Sequence, residues 1–132
     1  MVVIFVHMRI EEHVTALSEH EENLKLAIER GLLKNQRNIG YNASQASVEL
    51  FSIYMHKLNL IAAGENLDHR VFKSKEVDNR IPQDFPNKNM ILELMRKLEE
   101  KRNVLCYGKA RPENEIKEVV MAYNELKDMI RV

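Results

Sequence analysis

The segment "EKRNVLCYGKARPENE", residues 100–115, holds the side chains with most chemical potential. Arg102 lies four residues after Leu98 and three before Leu105, and on a helix those spacings put all three on one face. A guanidinium in an apolar stripe needs partners, because desolvating an isolated charge costs roughly several kcal/mol. Three arrangements relieve that cost: reaching solvent from a helix end, pairing with a buried acid, or lining a polar cleft or subunit interface. Asn103 adds a carboxamide, Tyr107 a hydroxyl, and Gly108 leaves room for a ligand or a partner's backbone. Arg102 and Tyr107 stand about 140° apart on an ideal helix. They line one groove if the helix ends between them, or if a two-fold partner brings the second copy across.

Other polar residues offer partial roles. Glu49 and His56 are seven residues apart, hence on one helix face with Ser52 and Asn59 nearby, and Glu49 is the natural acidic partner for Arg102. His69, in "LDHRVF", can reach back from a loop to a pocket and supply proton transfer, or stand exposed without a task. Lys109 belongs to a basic run from Arg96 to Arg111, with six bases against two acids, enough to hold a phosphate group or to form a solvated face. His13 and His20 lie amid acids, but seven residues is about 10.5 Å of helix, too far for two ligands of one ion. No histidine follows a glutamate by three residues, so a di-iron bundle site is not expected, and no metal or cofactor is assigned. Cys106 sits in a basic neighbourhood that favours the thiolate, yet a small buried side chain is the better reading. Phosphate-loop, dinucleotide, serine-hydrolase and zinc-protease signatures are absent.

The elements that must position these residues read as helices. The chain has 132 residues, 45% apolar and 30% charged, which suits a single domain over 1–132. Twenty basic and twenty acidic side chains cancel, so there is no global attraction to nucleic acid. One cysteine excludes an internal disulfide and fits a reducing, cytoplasmic setting. The apolar opening, residues 1–9, is too short to span a bilayer. It reads as an N-terminal extension: a short strand, a hydrophobic tail, or residues upstream of a start at Met8.

Ile10, Val14, Leu17, Leu24 and Ile28 mark the stripe of a first helix that ends near Gly31. A second runs from about Asn42 to Ala63, with Val48, Phe51, Met55, Leu58 and Ala62 buried and Gly64 as stop. Its small-residue start, "NASQAS", admits a close neighbour. Residues 64–88 form a long irregular loop with room for one short helical turn. A third helix starts near Asn89 or Met90, capped by Asn87 or Asn89, carries Ile91, Leu94, Met95, Leu98 and Leu105, and stops at Gly108. The fourth opens with Pro112 in its first position and buries Ile116, Val119, Val120, Tyr123, Leu126 and Ile130. Four such stripes predict an all-α fold, an antiparallel four-helix up-and-down bundle.

With that layout in place, "RNVLCYG" resembles the Arg-Asn, four-spaced His, Gly signature of the HEPN superfamily, small four-helix domains that usually dimerise. Arg102 and Asn103 match, and Tyr107 stands at the histidine position. "ERGLLKNQ", "YNASQASVELFSIYMHKL" and "IKEVVMAYNELKDMI" fit the surrounding helices, so the resemblance spans about residues 10–131. It implies a homodimer engaged with RNA. Active members are metal-independent ribonucleases, often toxins paired with a nucleotidyltransferase antitoxin, with arginine and histidine facing each other across the dimer. A tyrosine, with a reference pKa of about 10, is a poor proton shuttle near neutrality. The expectation is a binding-type member that takes RNA or a nucleotide at a groove around Arg102, with degenerate or no ribonuclease activity. The alternatives are a protein-interaction bundle partnering a nucleotidyltransferase, and an active metal-independent ribonuclease.

Overall fold

The computed structural model describes residues 2–60, 69–73 and 81–131, with side chains described from residue 10 onward. Four α-helices, α1 (Val2–Arg30), α2 (Gln36–Lys57), α3 (Lys88–Tyr107) and α4 (Glu113–Met129), account for most of it, and no strand occurs among the described residues. The chain is thus all-helical. α1 already begins at Val2, so the reading of the opening residues as a short strand does not hold. Gly31 closes α1 in the left-handed region, φ 117°, where glycine meets no steric penalty.

α2 is the hub: it packs against α1, α3 and α4, and α3 also packs against α4. It starts at Gln36, a turn and a half before the expected Asn42, and ends at Lys57, so Leu58 lies beyond it and is exposed. The expected continuation to Ala62 and Gly64 lies outside the described residues. Ala43, Ser44, Ala46 and Ser47 are all buried, and this small-residue face brings α3 close. The tightest approach is at Gly40, where a Cβ would lie 2.8 Å from the Leu105 Cβ.

Most apolar stripes face inward as their periods require. Leu17, Leu24, Met55, Leu98, Leu105, Ile116, Val119 and Leu126 are buried, whereas Val14 is half-exposed. Ala27, buried on α1, takes one of the stripe's inward places. The expected loop 64–88 contains a 3₁₀ turn, His69–Lys73, whose Phe72 is buried edge-on against Phe51, ring centroids 5.4 Å apart. Asn87 precedes α3 with φ 59° and does not cap it through its side chain. Pro112 is the residue before α4, not its first.

Polar ties complete the frame. Glu115 of α4 accepts hydrogen bonds from Arg111 at 2.7 Å and Lys101 at 3.0 Å. Those bonds, Arg111's first, hold its carboxyl below the usual carboxylate range. Tyr123 of α4 donates to Glu21 of α1 at 2.8 Å. Burial first, then that bond and the Glu21 charge, pushes its phenol well above the usual range.

Filling the Gly40 contact tests the packing. Gly40→Val adds a branched side chain where even one carbon collides, so it lowers stability by about 2–3 kcal/mol in urea unfolding. An unchanged midpoint would mean that α3 does not rest on α2 at this point.

Candidate functional site

Because Leu105 seats over Gly40, the residues one and two turns earlier on α3 also meet α2. Arg102 is buried, 8% exposed, and its Nη1 donates to Gln45 Oε1 at 2.8 Å. Its guanidinium carbon lies 4.9 Å from the centroid of the Tyr41 ring, a cation–π contact. Tyr41 and Gln45 are four residues apart on α2 and so form one edge of the seam. Among the described residues no carboxylate pairs with Arg102. Among those residues the guanidinium therefore has a neutral acceptor and an aromatic face for company, and no ion-paired carboxylate.

The expected partner, Glu49, is engaged elsewhere: its carboxylate is paired with His13 Nδ1 across the α1–α2 interface. The spacing that suggested Glu49 fixes a face of α2, but that part of the face turns to α1. His13 also lies beside His56, ring centroids 5.6 Å apart, while His20 Nδ1 is 3.0 Å from Asn42 Oδ1. His13 and His20 thus serve two different contacts.

A buried acid does stand near the seam, and it is Glu99, 2% exposed. Its Oε1 is 2.8 Å from His69 Nδ1, and Ser44 Oγ donates to its Oε2 at 3.4 Å. The 3₁₀ turn delivers His69 to this point, anchored by buried Phe72. Beside a carboxylate Nδ1 is the donor, which fixes the orientation of the ring. Adjacent residues of α2, Ser44 and Gln45, thus hold Glu99 and Arg102, which are three residues apart on α3.

Tyr107 is 78% exposed at the end of α3, and no hydrogen bond or ring contact joins it to Arg102. Asn103 is half-buried and Lys109 exposed. The Lys109 carbonyl accepts from Gln36 Nε2 at 3.1 Å, as does the Leu105 carbonyl, and Gln36 Oε1 receives the Arg111 N–H at 2.9 Å. Gln36 therefore clamps the end of α3 and the connection to α4. Arg37 Nε donates to the Cys106 carbonyl at 3.1 Å, which brings a second cation to the seam. Cys106 itself is not activated: burial raises its thiol pKa, outweighing the lowering by Arg102 and Arg37.

Arg37, Tyr41 and Gln45 are the site residues that sequence reasoning missed. They recur every four residues, a readable helical edge. Starting α2 at Asn42 left the first two outside the helix. No protein-family model, curated protein or solved structure matches this chain.

Glu99→Ala removes the acceptor that ties the 3₁₀ turn to α3. The expected result is a stability loss of about 1–3 kcal/mol and faster amide exchange over His69–Lys73 by mass spectrometry. Unaltered exchange there would contradict the anchoring role of Glu99.

Proposed function

We propose that the seam around Arg102 binds a phosphate-bearing ligand, RNA or a nucleotide, in a HEPN-like dimer. The observation that carries this reading is a buried guanidinium with no ion-paired carboxylate among the described residues, laid against a partly exposed tyrosine. A phosphate supplies the missing negative charge and accepts the fork of N–H donors. Tyr41, 41% exposed, offers a surface on which a base can stack. Arg37 adds a second cation at the rim. In this reading Tyr107 and Lys109, both exposed, and the half-buried Asn103 lie at the α3 end that a two-fold partner or a ligand covers.

Arg102→Ala then weakens binding of a short single-stranded RNA at low salt by about tenfold or more, with the helical circular dichroism unchanged. Unchanged affinity contradicts the proposal. Co-purification of a partner protein without any RNA affinity favours a nucleotidyltransferase-partner role instead.

One observation favours a second reading, a metal-independent ribonuclease. His69, oriented by Glu99 one turn from Arg102 on α3, is a candidate proton-transfer group in place of the histidine that Tyr107 replaces. RNA cleavage in EDTA that disappears in His69→Ala supports it, and a silent wild-type protein removes it.

A further inference from the structure

Tyr41 borders a second feature. Between the last turns of α1 and the first of α2 lies a cavity of about 330 Å³, walled by Asn23, Arg30, Asn35, Asn38, Tyr41 and Asn42. That volume is at the small end of ligand pockets, roughly 300–1,000 Å³. Its charged lining is one cation and no acid.

The asparagines divide into two kinds. Asn42 is buried, its Oδ1 3.0 Å from His20 Nδ1 and its Nδ2 donating to the Asn38 carbonyl at 2.9 Å. Asn35 Nδ2 donates to the Gly31 carbonyl at 3.0 Å. These two are fixed and shape the wall. The carboxamides of Asn23 and Asn38 and the Arg30 guanidinium make no hydrogen bond or ion pair with other described residues. All three residues are exposed, so they are solvent-facing donors and acceptors around a cavity that a tyrosine ring flanks. His20 meets the edge of that ring, centroids 5.9 Å apart, and Arg102 lies over it.

We infer that this cavity is a nucleobase subsite, and that Tyr41 joins it to the phosphate site at Arg102. A carboxamide presents a donor and an acceptor side by side, which matches the N6 and N7 positions of adenine. An aromatic ring beside it adds stacking. One molecule that unites such a base with a phosphate is a nucleotide unit of RNA. This inference rests on the phosphate reading above and adds base recognition to it.

Titration calorimetry with adenosine 5′-monophosphate and with ribose 5-phosphate tests it. The nucleotide is expected to bind about tenfold or more tightly than the base-free sugar phosphate. Asn38→Ala and Tyr41→Leu each lose that preference, and the side-chain amide NMR signals of Asn23 and Asn38 shift with the nucleotide only. Equal affinity for the two ligands, with dependence on Arg102 retained, overturns the base subsite and leaves the phosphate site standing. A base preference that survives Arg102→Gln keeps the cavity and removes the phosphate site. Binding of neither ligand overturns both.

Discussion

The close approach of α3 to α2 at Gly40 is the constraint on which the seam depends. Without a side chain at Gly40, Leu105 settles against the α2 backbone, and the small residues Ala43, Ser44 and Ser47 continue the same face. Register follows from that one contact. Arg102 comes opposite Tyr41 and Gln45, and Glu99 opposite Ser44. Gln36 then closes the far end by gripping the Leu105 and Lys109 carbonyls, so α3 neither slides nor unwinds where Arg102 sits.

Packing explains where Arg102 is, but not why a charge is there. Desolvating a guanidinium costs several kcal/mol, on the order of the penalty for any buried ion. A hydrogen bond to a charged group returns about 1.5–3 kcal/mol and a desolvated cation–π contact about 2. Gln45 and Tyr41 therefore roughly offset the cost and leave little surplus. The two nearby acids are bonded elsewhere: Glu49, two turns of helix from Tyr41, to His13, and Glu99, three residues before Arg102, to His69 and Ser44. Under the proposed function this cation is kept available for an outside anion and does not serve as a strut.

Much of the helical frame was legible in the sequence because apolar periodicity reports burial directly. Leu98, Leu105, Ile116 and Leu126 are inward where their spacing demands, and Gly31 and Gly108 stand at helix ends. The start of α2 was not legible, since Arg37, Asn38 and Gly40 dilute the apolar signal around Ile39. Phe72 was hidden for a related reason: one aromatic residue within a polar stretch has no period to reveal it. At the site, the anomaly of Arg102 could be read, while its partners could not. Spacing assigns a residue to a face, and only the packing of helices decides which neighbour that face meets. That is why Glu49 looked like the partner of Arg102 and Gln45 did not. His69 shows the same limit, because the route of a loop back to Glu99 leaves no trace in local pattern.

The most direct test of an anion-seeking Arg102 compares thermal unfolding of the wild type and Arg102→Met in inorganic phosphate and in chloride at equal ionic strength. Methionine keeps the apolar stem and drops the charge. In chloride the variant should be at least as stable as the wild type, and phosphate should raise the wild-type midpoint alone, by about a few degrees. A variant several degrees less stable in chloride, or an equal phosphate response in both proteins, would show that the guanidinium holds the bundle together and does not wait for an anion.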